Sequence, residues 1–81
     1  MQAVRVDLMV VLDDVDEHIM EIFRRHPTRW WKLHQIRTIL EFEGLQVGNP
    51  ELWSRLKALS LLSLIDREKR SRVYRYKNHQ S

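Results

Sequence analysis

Residues 49–76 read NPELWSRLKALSLLSLIDREKRSRVYRY, and the order of elements in this stretch decides the fold. Asn49 can cap a helix by accepting from the free N–H groups of its first turn, and Pro50 suits the first helical position because it has no N–H to satisfy. Leu52, Leu56 and Leu59, with Leu62 beside them, recur at helical spacing and form one seam. Ser54, Lys57, Ala58 and Leu61 point largely the other way. Ser63 interrupts the run and Leu64-Ile65 restart as a strand. Asp66 to Arg72 make a basic turn, and Val73 to Lys77 return as a second strand. The expected order is helix, strand, turn, strand.

The segments upstream read as support for it. Leu33, Ile36, Ile39, Leu40 and Phe42 predict a second amphipathic helix ending near Gly44, with Leu45 and Val47 holding the connection to the third. Trp30 and Trp31 follow the turn Pro27-Thr28-Arg29; at least one belongs to the core, and the pair has room for a very short strand. The first helix starts at Asp13 or Asp14, where a carboxylate caps it and Asp16 and Glu17 suit the positive end of its dipole. Val15, Ile19, Ile22 and Phe23 form its apolar stripe. Arg24, Arg25 and His26 sit in its last turn, and Pro27 stops it.

Before that helix, Val4, Val6, Leu8, Val10 and Leu12 alternate with other residues, which predicts a strand, although Val4, Leu8 and Leu12 also satisfy helical spacing. Such a strand needs a partner, either the later hairpin or a second copy of the chain. The expected organisation is residues 1–12 as a strand or dimerisation arm, 13–77 as one domain and 78–81 as a frayed tail. The fold class is α+β: three helices, a C-terminal hairpin and an extra N-terminal strand.

Eighty-one residues suffice for one core. With no cysteine, disulfides and thiolate metal sites are excluded, and a reducing compartment fits. Leu8 to Leu12 is too short to span a membrane and has no signal-peptide flanks, so the expectation is a soluble, cytoplasmic protein without a membrane partner. The net charge of +3 conceals an asymmetry. Residues 1–23 hold one arginine against six carboxylates, whereas residues 24–81 hold thirteen basic side chains against five acidic ones. The second part of the chain calls for an anionic partner.

These elements, in this order, resemble the winged helix-turn-helix DNA-binding domains. The run from Leu56 to Arg67, LKALSLLSLIDR, is similar to the leucine-rich passage by which that family leaves its third helix and enters its wing. Val47 to Leu52 looks like the family's entry into the recognition helix, and Asp14 to Ile19 like the start of its first helix. The likeness covers about residues 13–77. It departs at Ser63, where the family usually has glycine, and at Ser54, where many members carry a long basic side chain.

The resemblance implies a small, repressor-like transcription regulator that binds double-stranded DNA as a homodimer, its third helix in the major groove and its wing on phosphates. The implied recognition-helix residues are Asn49, Glu51, Ser54, Arg55 and Lys57. From composition, the wing candidates are Arg67, Lys69, Arg70, Arg72 and Arg75, because phosphate binding needs flexible cations on a protruding element. Arg29, Lys32 and Arg37 are candidates for further phosphate contacts. Asn49 can equally be a plain cap, and Arg55 lies towards the buried edge, within reach of Glu51. Two other readings stand beside this one. A protein-interaction module would use the tryptophans and the N-terminal strand, and an RNA or single-strand binder would stack bases on Tyr74, Tyr76 or Trp53. His18, His26 and His34 are eight residues apart and no pair has zinc-site spacing, so neither metal nor cofactor is expected. No phosphate loop or nucleophile motif is present, so no catalytic residue is expected either.

Overall fold

The computed structural model describes residues 12–79. The expected N-terminal strand, apart from Leu12, lies outside them. Helix α1 spans Asp14–Arg25, strand β1 Trp31–Lys32, helix α2 Leu33–Phe42, helix α3 Asn49–Leu61, strand β2 Ile65–Arg70 and strand β3 Val73–Asn78. The strands form one antiparallel sheet in the order β1-β3-β2. Among the described residues no helix is long and apolar enough to cross a membrane.

Each helix forms for local reasons that can be named. Asp13 caps α1 through a reciprocal box: its carboxylate accepts from the Asp16 N–H at 2.9 Å, while Asp16 accepts from the Asp13 N–H. At α2 the Gln35 side chain reaches back to the Lys32 N–H at 2.9 Å. Helix α3 has Gly48, not Asn49, as its cap residue. Asn49 is already helical, and its side chain faces a different partner, described below.

One core joins the three helices to the sheet. Ile19, Ile22 and Phe23 from α1, Ile36 and Leu40 from α2, and Leu52, Leu56 and Leu59 from α3 meet Trp31, Ile65 and Tyr76. The leucine seam of α3 is buried as its spacing predicts, but Leu62 is 47% exposed. Phe42 is 94% exposed; it lies on the side of α2 away from Ile36 and Leu40. Tyr76 packs fully inside, opposite both Trp31 on β1 and Arg67 on β2.

The hairpin is longer and its turn tighter than the charge pattern suggests. Asp66 to Arg70 belong to β2, paired from Ile65↔Asn78 to Arg70↔Val73. The turn is only Ser71 and Arg72, with φ of 50° and 69°. Two successive left-handed residues are the geometry of a type I′ turn, whose twist matches that of paired strands. Asn78 therefore lies within the strand, and the His79 ring contacts Asp66 at 2.8 Å.

Candidate nucleic-acid interface

Strand alternation sorts the wing's cations onto two faces. Residues directly opposite in an antiparallel pair share a face, so Arg75, Lys77 and Arg70 project from the outer side of the sheet with Asp66 and Glu68. There Arg70 and Arg75 are engaged by a carboxylate. Glu68 accepts from Arg75 and lies 3.3 Å from Arg70. Arg75 foremost, with help from Arg70 and Lys77, holds the Glu68 carboxyl below the usual range. Arg75 and Lys77 also lie over the Trp30 ring at 5.0 and 4.9 Å.

The inner face differs. Arg67 lies over the Tyr74 ring at 4.6 Å, and the Lys69 ammonium is 5.6 Å from the same ring. Tyr74 meets Trp53 of α3 edge-on, with centroids 6.4 Å apart, and Lys57 lies 5.2 Å from the Trp53 ring. A strip of cations interleaved with aromatic rings thus runs from α3 to the wing. Beside it, Lys32, His34 and Leu33 at the start of α2 border a groove with Trp53, Tyr74 and Arg72. Among the described residues, no carboxylate forms an ion pair with Lys32, Lys57, Arg67, Lys69 or Arg72. At the inner end of the strip, burial raises the Tyr76 phenol above its ordinary pKa. Its hydroxyl and Arg67 Nη1 are buried without a hydrogen-bond partner among the described residues.

The opposite edge of α3 is acidic and closed. Arg55 Nη1 donates to both Asp13 oxygens at 2.8 Å and to Asp16 at 3.1 Å. Its Nε and Nη2 donate to Glu51 at 3.1 and 2.8 Å. Asp13, above all, keeps the guanidinium charged by raising its pKa. Reciprocally, the Asp16 N–H and then Arg55 hold Asp13 below the usual carboxylate range. This arrangement ties the start of α1 to the middle of α3. At the head of α3, Asn49 Oδ1 accepts from Arg37 Nη1 at 2.7 Å, and Arg37 also pairs with Glu41 at 3.3 Å.

The candidate residues therefore fall into groups. Lys57, Arg67, Lys69 and Arg72 are brought to one side of the molecule, Lys32 beside them. Arg70 and Arg75 are on the outer face with Glu68. Asn49, Arg37, Glu51 and Arg55 are held by one another or by α1. Ser54 is exposed and Arg29 stacks over Trp31 at 4.1 Å. Sequence reasoning did not anticipate the Trp53–Tyr74 contact or the Asp13–Arg55 tie. Strand alternation puts Tyr74 on the face of the core, but nothing local says which helix it meets.

No family model and no curated protein matches the chain. A solved structure, the ferric uptake regulator from Francisella tularensis with iron, is similar at a TM-score of 0.81 and 15% sequence identity. The fold is a winged helix. The likeness covers 91% of this chain and 57% of that one, so the present chain spans little more than half of the regulator's length. At this identity what the two share is the backbone arrangement: three helices leading into an antiparallel wing. The iron belongs to that protein. Among the described residues here, no three His, Asp or Glu side chains converge as ligands for a metal ion.

Proposed function

We propose that this chain binds double-stranded DNA as a small, repressor-like transcription regulator acting in the cytoplasm as a homodimer. Helix α3 lies towards the major groove, and the wing holds flanking phosphates. The observation that carries the reading is the inner strip, where Lys57, Arg67, Lys69 and Arg72 present positive charge beside the exposed face of α3, and among the described residues no carboxylate pairs with them. Cations that no carboxylate neutralises can exchange their counterions for phosphates. The winged-helix neighbour bears the name of a regulator, which agrees with this use. For the dimer, the supporting feature is an apolar patch at the end of α3. Leu61 is 72% and Leu62 47% exposed, and Leu12, Ala58, Leu59 and Leu62 border a groove beside them.

The single-strand reading has less to stand on. Tyr76 is fully buried, and the Tyr74 ring already carries two cations. Fluorescence anisotropy with a random-sequence duplex at several salt concentrations tests the proposal. With about four phosphates neutralised, log K should fall against log salt with a slope of roughly −3.6. No binding at low salt, or tighter binding to single strands, would sink it. Sedimentation of the full chain tests the dimer, which fails as a reading if the chain is a monomer, and L61D/L62D tests the patch, which is not the interface if that variant remains dimeric.

A further inference from the structure

We infer that α3 rests against the duplex without reading bases, and that the inner strip makes this chain a binder of double-stranded DNA of any sequence. The inference rests on the proposed function and specifies its substrate class. Direct readout needs side chains that can meet two atoms of one base edge: arginine or lysine for guanine, asparagine or glutamine for adenine, a carboxylate for cytosine. Helix α3 has four such side chains: Asn49, Glu51 and Arg55 are occupied by partners within the fold, and the Lys57 ammonium lies on the wing side, 5.2 Å from the Trp53 ring. Asn49 holds Arg37 at 2.7 Å. Arg55 spends Nε, Nη1 and Nη2 on five hydrogen bonds to Asp13, Asp16 and Glu51. Glu51 is the acceptor in two of these.

A base would have to displace charge-assisted bonds of 2.8 Å to recruit Arg55, and would leave three carboxylates without their cation facing a polyanion. Besides Asn49 and Glu51, whose side chains are already paired, α3 exposes Pro50, Trp53, Ser54, Lys57, Ala58 and Leu61. Of these only Lys57 has the chemistry to meet two acceptors of a base edge, and it lies beside the Trp53 ring on the wing side, where phosphates are the nearer anions. The Ser60 hydroxyl donates to the Lys57 carbonyl at 2.7 Å. Among the described residues Lys57, Arg67, Lys69 and Arg72 lie together on the wing side without an ion pair, and they suit phosphates, which every sequence presents alike. Charge on this face is therefore placed for the backbone, and the helix supplies shape.

Selection from a random duplex pool with the full chain, followed by anisotropy on enriched and unrelated duplexes, tests this. The expected result is a pool without a consensus and affinities that agree within about threefold, against the 10³-fold or greater preference common in specific binders. Arg67→Gln and Lys69→Gln should each weaken every duplex alike and flatten the salt slope by about 0.9. Asn49→Ala and Ser54→Ala should change affinity less than twofold on all of them, with circular dichroism confirming that each variant is folded. A selected site bound a hundredfold more tightly than random DNA, with the preference lost in Asn49→Ala or Ser54→Ala, overturns the inference and leaves the proposed function standing. Equal salt slopes for wild type and both glutamine variants overturn the role of the strip. Absence of any duplex binding removes both readings together.

Discussion

Replacing Ser63 by glycine should stabilise the protein, and the chain contains its own control. Helices α2 and α3 end in the same way. After α2 the Gly44 N–H donates to Glu41 O at 3.0 Å and the Leu45 N–H to Leu40 O at 2.8 Å. After α3 the Ser63 N–H donates to Ser60 O and the Leu64 N–H to Leu59 O, both at 3.0 Å. This is the paired closure of a Schellman motif, which needs a left-handed residue just past the cap. Gly44 supplies it at φ 90° without strain, whereas Ser63 is forced to φ 62°. A left-handed L-residue costs about 1–2 kcal/mol, and glycine returns about 0.4–1 kcal/mol of that through the greater entropy of the unfolded chain. The net gain from Ser63→Gly is therefore about 0.5–1 kcal/mol, or about 3–6 °C in Tm for a domain of this size. Gly44→Ala should lose a similar amount, and from backbone conformation alone, because a Cβ there would meet nothing within 4 Å. Thermal unfolding by far-ultraviolet circular dichroism reads both, and urea unfolding checks that the slope m is unchanged. If Ser63→Gly melts at or below the wild-type temperature while Gly44→Ala is destabilised, the Schellman assignment at Ser63 is wrong.

Three further expectations concern the hairpin and the ties between elements. Ser71→Asn with Arg72→Gly places the preferred pair in the type I′ turn and should raise stability by roughly 1 kcal/mol, while removal of Arg72 weakens duplex binding; unfolding and anisotropy should move in opposite directions. Tyr76→Phe deletes a buried hydroxyl that has no hydrogen-bond partner among the described residues and should be neutral or stabilising by up to about 1 kcal/mol; a loss above 1 kcal/mol in urea unfolding would point to a hydrogen bond there. Asp13 has a folded pKa below its unfolded one, so its contribution is complete above the ordinary aspartate value of about 3.9 and disappears as pH falls through the lowered one. Asp13→Asn should therefore flatten the dependence of Tm on pH below about 4 relative to wild type, and an unaltered acid limb would mean that the Asp16 N–H and Arg55 do not favour the charged form.

What was legible in the sequence was what repeats. The α3 seam, the stripes of α1 and α2 and the alternation of Val73 to Tyr76 each follow from burial on one side of a regular element, and the fold assembles from them. The turn was misjudged because Ser71 and Arg72 carry no glycine or asparagine to mark left-handed backbone. With charge as the only signal, the expected turn at 66–72 spreads over residues that the pairing assigns to β2. Phe42 looks like core by composition, and only its angular position relative to Ile36 and Leu40 tells otherwise.

The site was harder to read for a different reason. Whether a basic side chain is available depends on what lies beside it in space, and the decisive neighbours are remote in sequence: Asp13 is 42 residues from Arg55, and Arg37 is 12 from Asn49. A count of charges treats Arg55 and Lys57 alike. The fold separates them, because positions 55 and 57 lie about 200° apart around a helix, one facing the carboxylates of α1 and the other the Trp53 ring. The same division sets Arg67 and Lys69 apart from Arg70 and Arg75, since alternate residues of a strand face opposite sides. Cations without an ion pair and side chains already paired within the fold, which composition merges into one basic stretch, thus lie on different edges of α3 among the described residues. Under the proposed function, the edge with cations to spare is the one that would meet phosphates, whereas Asn49, Glu51 and Arg55 are spent on contacts within the fold.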